Sequence, residues 1–336
     1  MKTFHRACAL AALLSLSLCC RGQELDTSEN PWSLTRAGFV GAELFGDAEY
    51  VKLEALAQRL LKTRERANDG RFQLALLESG IQERIDEWAT SSPGISSRLV
   101  AEWRKAVPDS AYRPIVEVMV IRANAWAMRG EGAASEVSPA GWELFKEANQ
   151  AAREVLAESR KRASAFPAWY SQAIELAFET EQPRPEIDAL LNEAIARFPG
   201  YFPLYFSYLN YLQPKWGGSF ELANAFILQQ TMSPANPDGE VLYARLYWFF
   251  DQCDVCSDRK YFENSKVDWV RLRTGFDRLT AAYPYSERNL AAFTDFACRA
   301  RDAATYKRLR ARVNPDVFGS MSRIPLEQCD ARFRNK

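Results

Sequence analysis

Histidine is almost missing from this chain, because His5 is the only one among 336 residues. It lies close to the N-terminus, in a segment that is predicted below to be removed. Without histidine, the rest of the chain cannot build a Ser-His-Asp or Cys-His catalytic arrangement or a histidine-ligated zinc site. The sequence therefore argues against the commonest hydrolase and metalloenzyme mechanisms, and no cofactor or metal is predicted.

The chain also lacks an excess of charge of either sign, with 43 basic and 43 acidic residues. The chain has no long run of basic residues, which binding along a phosphate backbone or an anionic membrane surface would need. Nucleic acid is therefore not expected as a partner. The composition is 47% hydrophobic, which is ample for a folded core and unlike that of a disordered chain.

Only the N-terminus carries an uninterrupted hydrophobic run. Lys2 and Arg6 precede the apolar stretch Ala7 to Leu18, which is too short to span a membrane comfortably. This pattern is typical of a bacterial export signal, so residues 1–22 are predicted to be a signal peptide. Its removal leaves 40 basic and 43 acidic residues. The protein is expected in the periplasm or outside the cell.

Two cleavage sites compete at the end of this signal. The first resembles a lipobox ending at Cys19, although Leu18 stands where a small residue is usual. The second follows Gly22 and has small residues, Cys20 and Gly22, at the right offsets. Soluble export is slightly favoured over lipidation of Cys19, and membrane association is expected only through such an anchor.

Four cysteines remain beyond the signal: Cys253, Cys256, Cys298 and Cys329. An even number in an exported protein favours two disulfides, for which three connectivities exist. The spacing suggests Cys253–Cys256 and Cys298–Cys329. A redox role for the first pair needs a βαβ setting that the sequence does not show.

Apolar residues recur at helical spacing along most of the chain after Asp47. The clearest stripe follows Pro185 and consists of Ile187, Leu190, Leu191, Ala194, Ile195 and Phe198. No segment shows the alternation of a strand followed by a hairpin turn. The sequence therefore predicts an all-α domain over residues 46–330, with helices of irregular length.

Prolines punctuate this domain at intervals of 28 to 35 residues, apart from one gap of 50: Pro108, Pro139, Pro167, Pro199, Pro234, Pro284 and Pro315. These seven are chosen from 16, but the interval is close to the roughly 34 residues of tetratricopeptide repeats. A tetratricopeptide-like solenoid of helical hairpins is therefore predicted, in which neighbouring pairs stack into a curved array.

Residues 23–45 are predicted to be a linker with one short helix. Residues 251–266 are predicted to be an inserted loop pinned by Cys253 and Cys256.

Several short pieces spread over most of the chain resemble a bacterial family described only as domain of unknown function 4034. They are Leu53-Glu54, Arg66, Asp69-Gly70, Trp103, Ala125-Trp126, Arg129-Gly130, Trp142 to Phe145, Asn192 to Ala194, Phe198 to Tyr201, Pro214 to Ser219, Tyr243 to Arg245, Phe296 to Cys298 and Cys329. The most specific is Pro214 to Ser219. The resemblance implies a helical, repeat-like fold and carries no activity.

The segment Pro214 to Ser219 lies between two predicted helices. Its glycines suit a tight turn and Ser219 can cap the next helix, which is the simpler interpretation. The functional alternative makes Lys215 and Trp216 ligand contacts, or the helix start an anion site.

The aromatic helix that precedes this turn offers Tyr201 and Tyr205 as binding contacts on a concave surface, although packing between repeats is the favoured explanation of its aromatic residues. Arg129, at a predicted helix end, is a further candidate beside its ordinary role of capping the last carbonyls. Binding residues are therefore predicted at Lys215, Trp216, Tyr201, Tyr205 and Arg129, with no catalytic residue.

The sequence as a whole favours an exported scaffold that binds a protein partner in the cell envelope. Repeat arrays offer extended concave surfaces, and tyrosine, tryptophan and arginine dominate interface energies. One alternative is an envelope enzyme that acts on glycan through carboxylates. Another is a toxin-neutralising or inhibitor protein, which is a special case of binding.

Overall fold

The structure, a computed structural model, describes residues 36–130, 132, 134–252 and 261–334, without the side chain of residue 263. Helices make up most of these ranges, and no β-strand occurs in them. The all-α prediction is confirmed. The α-helices are α1 (Arg36–Gly46), α2 (Tyr50–Thr63), α3 (Gln73–Ser91), α4 (Ile95–Ala106), α5 (Arg113–Arg129), α6 (Pro139–Ala163), α7 (Pro167–Glu179), α8 (Arg184–Arg197), α9 (Phe202–Asn210), α10 (Phe220–Met232), α11 (Glu240–Asp251), α12 (Tyr261–Asn264), α13 (Trp269–Ala282), α14 (Glu287–Arg299), α15 (Ala303–Arg310), α16 (Pro315–Met321) and α17 (Leu326–Phe333).

Capping residues fix several of the helix starts that the sequence predicts. The Ser138 hydroxyl accepts a hydrogen bond from the Gly141 amide at 3.0 Å, and Pro139 opens α6. Ser219 accepts one from the Leu222 amide at 3.1 Å and opens α10. These bonds satisfy amides that have no partner within the first turn of a helix.

The odd-numbered helices from α1 to α13 follow one another as an inner layer, with α3 packed on α1, α5 on α3, α7 on α5, α9 on α7, α11 on α9 and α13 on α11. The even-numbered helices from α2 to α10 lie between them in sequence and pack against their neighbours. The main hydrophobic core extends from Phe45 to Phe333, and a small second cluster is formed by Ala37, Ala67 and Leu76. The inner helices therefore share one continuous surface.

Helix α1 occupies the end of the segment predicted as a linker. Its glycines, which look linker-like in the sequence, instead allow close packing on α3. A Cβ at Gly41 would lie 2.6 Å from the Leu77 carbonyl oxygen, and one at Gly80 would lie 1.9 Å from that of Gly38. Because only hydrogen fits there, the two helix backbones touch, and the packed domain already includes Arg36.

The loop between α2 and α3, residues 64–72, contacts helices that are distant in the sequence, and is called the closing loop below. Its carboxylate Asp69 is fully buried and pairs with Arg71 and, at 3.6 Å, with Arg288 of α14. The Asp69 carbonyl accepts hydrogen bonds from Arg245 of α11 and, at 3.0 Å, from Asn289 of α14. Helices distant in sequence thus converge on one residue.

A second arginine extends these contacts to the middle of the chain. Arg66 lies over the ring of Phe72, 4.3 Å from its centroid, and over that of Phe202 in α9. Its guanidinium also approaches the Asp238 carboxylate at 3.5 Å, just before α11. The closing loop therefore touches α9, α11 and α14, which a simple nearest-neighbour stack does not require.

Near the C-terminus, the predicted disulfide Cys298–Cys329 joins α14 to α17, with Cα atoms 5.8 Å apart. Cross-linking a loop of this length contributes about 3–4 kcal/mol in the chain-entropy model.

Cys253 and Cys256 lie outside the described residues, as do the signal peptide and Cys19. The predicted loop 251–266 needs correction at its end, because α12 forms there and buries Tyr261, whose hydroxyl donates to the Tyr247 carbonyl at 2.6 Å.

None of the helices in the described ranges combines the length and the apolar character that crossing a membrane requires.

Candidate binding groove

A large groove opens along the inner layer, between α3, α5, α7 and α9, and holds a volume of about 1450 Å³. The start of α6 and the turn after α9 close one end of it. Small side chains such as Ala123, Ala127, Ala168 and Ser171 line its walls and leave room for an occupant.

The floor of the groove is built around the buried Arg122 of α5. Its Nη2 donates to Glu179 of α7 at 2.7 Å, and its Nη1 donates to Glu175 at 2.6 Å. Nη1 also donates to the Gln172 amide oxygen at 2.6 Å. One guanidinium thus holds two carboxylates one helical turn apart on α7, which is the spacing that places both on the same helix face.

Further donors surround these carboxylates. Trp126 Nε1 donates to Glu179 at 3.1 Å and the Tyr211 hydroxyl donates to the same oxygen at 2.8 Å. Burial would raise the pKa of Glu179, but the Arg122 charge and the hydrogen bonds from Arg122, Tyr211 and Trp126 outweigh it, so its pKa is lowered. Glu179 is therefore held as a carboxylate.

Asp86 of α3 presents a carboxylate to the solvent that fills the groove. Desolvation by the surrounding protein raises its pKa, and the nearby charge of Glu175 adds to this, while Gln82 and Arg122 oppose it. Gln82 Nε2 donates to the carboxylate at 2.8 Å. Asp86 thus takes up a proton more readily than an ordinary aspartate.

Glu78, two turns before Asp86, stands at the wall of the groove and is almost completely buried. The Tyr201 hydroxyl donates a hydrogen bond to it. Burial raises the pKa of Glu78 to about 8, even though the Tyr201 hydrogen bond lowers it. At neutral pH this side chain is mostly the uncharged acid.

Five aromatic side chains form one end of the groove and are called the aromatic rim: Trp126, Trp142, Phe145, Tyr211 and Trp216. Trp126 meets Phe145 edge to face at 5.0 Å and Trp216 edge to face at 6.0 Å, measured between ring centroids. Tyr211 lies 5.7 Å from Trp216. These contacts join α5, α6 and the turn after α9 into one surface.

Two cations lie on the faces of these rings. The Arg129 guanidinium lies over both Trp126 and Trp142, at 5.0 Å and 4.9 Å from their ring centroids. The Lys215 ammonium lies over Trp216 at 5.6 Å. Cation–π contacts of this kind contribute about 0.5–1 kcal/mol at exposed sites and more when water is excluded.

Three of the five predicted binding residues therefore come together at the aromatic rim: Arg129, Lys215 and Trp216. Pro214 to Trp216 form a short 3-10 helix, followed by Gly217 with φ +80°, so the turn interpretation also describes this segment. The exposed fraction of Trp216 is 40%, which leaves its ring accessible. The same residues thus form a turn and line the groove.

The other two predicted contacts need correction. Tyr201 is buried behind the groove wall, where it reaches the groove only through its hydrogen bond to Glu78. Tyr205 is also buried and does not line the groove. Both tyrosines serve packing, because α9 is covered on both sides and leaves only one edge to the groove.

Sequence reasoning missed the floor residues Arg122, Glu175 and Glu179. A signal existed, because α5 and α7 are almost wholly buried helices, and charges are rarely found inside such helices unless they are paired. Within the described ranges, no group of three or more metal-ligating side chains occurs.

Comparison of the chain with family models, with curated proteins and with solved structures gave no match.

Proposed function

We propose that this protein is an exported binding protein whose groove holds an extended segment of a protein partner in the cell envelope. The observation that carries the proposal is the groove itself, which joins four inner helices into one surface with an aromatic rim and a charged floor. Its volume of about 1450 Å³ exceeds the roughly 300–1,000 Å³ typical of small-molecule pockets.

The chemistry of the rim supports a protein occupant. Trp126, Trp142, Trp216 and Tyr211 are of the residue types that carry most of the energy in protein interfaces, and Arg129 belongs to the same group. Hydrogen-bonding side chains such as Gln82, Asp86 and Gln172 line the walls and suit the amides of an extended chain. An occupant of this kind can meet aromatic anchors and polar groups together.

The arrangement is proposed to be a tetratricopeptide-like solenoid, with its inner layer facing the groove. The stacking of odd-numbered helices and the proline-containing turns at Pro108, Pro199 and Pro284 support this. The closing loop then distinguishes it from an open array. Membership of the family described as domain of unknown function 4034 remains a proposal that rests on the sequence pieces named above.

Position-specific photo-crosslinking in cells tests the proposed function. A benzophenone amino acid at Ala127, an exposed position that lines the groove, should crosslink one dominant protein. The same amino acid at Val270, whose exposed fraction is 61% and which lies outside the groove, is the matched control. Mass spectrometry of the crosslinked peptide identifies the segment that occupies the groove.

A crosslink at Ala127 that disappears when Trp216→Ala is added supports groove binding. Equal crosslinking at both positions, or none at Ala127 in a folded protein, contradicts it. If the captured protein is a toxin or an enzyme whose activity the purified protein blocks, the inhibitor role applies as a special case.

A carboxylate-dependent enzyme acting on envelope glycan is the second candidate. It is favoured by the presence of two carboxyl groups, Asp86 and Glu175, in the same groove and close enough for the Glu175 charge to help raise the pKa of Asp86, since a pair of carboxyl groups in a cleft is the pattern of glycoside hydrolysis. Incubating purified protein with isolated cell wall from about pH 4 to about pH 8 tests it. Release of soluble fragments that stops with Asp86→Asn supports this role, and no release contradicts it.

A further inference from the structure

We infer that Arg129 is the anchor for a carboxylate of the bound peptide, so that the groove selects an acidic segment. This inference rests on the proposed function, because it assigns the chemistry of the groove's occupant. Arg129 makes no ion pair with any of the residues that the structure describes. Arg122, in contrast, is paired with both Glu175 and Glu179 in the same groove.

The Arg129 guanidinium is held in a fixed orientation before any ligand binds. Its Nη1 donates to the carbonyl oxygens of Gly130 at 3.0 Å and Gly132 at 3.2 Å. The guanidinium also lies over the rings of Trp126 and Trp142. Nε is buried without a hydrogen-bond partner, and the two Nη2 donors form no hydrogen bond with the described residues, so Nη2 remains for an acceptor. A guanidinium fork matches a carboxylate in geometry and charge.

A cationic ligand is disfavoured at this end of the groove. One face each of Trp126 and Trp142 is already occupied by Arg129, and one face of Trp216 by Lys215. A positively charged ligand would also meet the like charge of Arg129. The rim therefore favours an anion.

The rest of the groove limits that anion to a single charge. The Arg122 guanidinium neutralises only one of the two negative charges of the floor carboxylates Glu175 and Glu179, and Asp86 and the exposed Glu181 also line the groove. A doubly charged phosphate group would be repelled more strongly by them than a carboxylate. A glutamate or aspartate side chain, in a peptide with few other charges, is the occupant that these charges favour.

Fluorescence anisotropy with synthetic peptide pools tests the inference on the purified full-length mature protein. The pools are short fluorescein-labelled peptides with mixed Ala, Ser, Leu and Tyr positions and one fixed central residue: Glu, Gln, Lys or phosphoserine. The Glu pool should bind about tenfold more tightly than the Gln pool, as expected for one charge-assisted hydrogen-bonded pair. Arg129→Gln should reduce this preference to within about twofold.

Arg84→Gln is the matched control, because Arg84 also lies over a tryptophan, Trp88 at 5.3 Å, but outside the groove and beside its own carboxylate, Glu87. It should keep the full preference for Glu. If Arg129→Gln fails to fold by circular dichroism, Arg129→Lys keeps the charge but loses the fork, and should retain only part of the preference.

Equal binding of the Glu and Gln pools, or a preference that survives Arg129→Gln, overturns the carboxylate anchor while leaving groove binding intact. Tighter binding of the phosphoserine pool overturns the choice of carboxylate. Absence of binding by every pool counts against both the anchor and the proposed function.

Discussion

At the scale of single residues, the groove contains two arginines with opposite environments. Arg122 is buried and paired with both Glu175 and Glu179, so it organises the floor. Arg129 lies over two tryptophan rings and makes no ion pair among the described residues. This difference is the reason that the carboxylate anchor is proposed at Arg129 and not at Arg122.

Replacing Trp216 should separate binding from folding. Its ring is 40% exposed and touches Trp126 and Tyr211 only along the rim, so Trp216→Ala should lower the free energy of unfolding by about 1 kcal/mol. Loss of an aromatic anchor should weaken partner binding by about 2 kcal/mol, close to thirtyfold. Urea denaturation and titration with the captured partner measure the two effects.

Trp88→Ala serves as the comparison, since Trp88 lies outside the groove and packs near Phe45 of the core at 6.2 Å. It should lower stability more than Trp216→Ala and leave binding unchanged. Global unfolding of Trp216→Ala would instead place this ring in the core.

Glu78 should make stability depend on pH in a window where most carboxyl groups do not titrate. Its pKa lies near 4.5 in the unfolded chain and is raised to about 8 in the fold. Between these values the native state holds a proton that the unfolded state has released, so stability falls as pH rises, by at most about 1.4 kcal/mol per pH unit. Below about 4.5 both states are protonated, and the contribution is fully present.

Glu78→Gln stays neutral at every pH and should remove this part of the pH dependence, while still accepting the Tyr201 hydrogen bond. Tyr201→Phe removes the hydrogen bond that lowers the pKa of Glu78, so that pKa should rise further. In this variant the fall of stability with pH should therefore continue to higher pH. Chemical denaturation at several pH values between about 5 and 9 checks both variants. Identical slopes for wild type and Glu78→Gln would show that Glu78 ionises normally.

At the scale of elements, the closing loop is the part that helix patterns do not reveal. Asn68-Asp69-Gly70 is readily identified in the sequence as a break between two helices. Nothing local indicates that Asp69 is buried or that its partners are Arg245, Arg288 and Asn289. Such contacts depend on how helices that are distant in the sequence are arranged in space, which no local pattern encodes.

Two glycines allow the packing of this loop to be measured. Gly70 has φ +91°, and a Cβ there would lie 2.6 Å from the Tyr283 ring before α14. Gly94 has φ +93° and nothing within 4 Å of a Cβ. Gly94→Ala should therefore lower stability by about 1 kcal/mol through backbone strain alone. Gly70→Ala should lower it by about 2–4 kcal/mol, because Tyr283 must also move.

Urea denaturation of both variants provides the comparison. Equal losses would mean that Tyr283 adjusts without penalty and that the loop is loosely packed.

The periodic helices were predictable for a simple physical reason. The stripe from Ile187 to Phe198 and the capped start at Ser138-Pro139 are local signals, and both correspond to observed helices, α8 and α6. The glycines of α1 suggested a linker, but they allow close packing between two helices. The tyrosines of α9 suggested binding contacts, but Tyr201 and Tyr205 are buried. The sequence therefore predicted the turn residues Lys215 and Trp216 of the groove. It did not predict the paired charges of the groove floor.

At the scale of the whole molecule, the closing loop should couple segments far apart in sequence. Asn289 is fully buried and bonds the Asp69 carbonyl across 220 residues. Asn289→Ala should lower stability by about 1–3 kcal/mol and speed amide hydrogen exchange in α3 as well as in α14. Hydrogen exchange followed by mass spectrometry measures this.

Asn192→Ala, on the exposed face of α8, is the control and should change neither region. Faster exchange confined to α14 in Asn289→Ala would indicate that the helices unfold as independent neighbours, as in an open array.

The same bonds have a consequence for how the chain acquires its structure. The Asp69 carbonyl finds its partners 176 and 220 residues further along the chain, so the fold has long-range contacts that an ordinary helical array lacks. Contacts of such sequence separation slow folding, because a long stretch must be ordered before they form. An N-terminal fragment that emerges first from the ribosome leaves Asp69 without Arg245 and Arg288. Completion of the fold then waits for α14, and until it arrives the earlier helices depend on protection from aggregation.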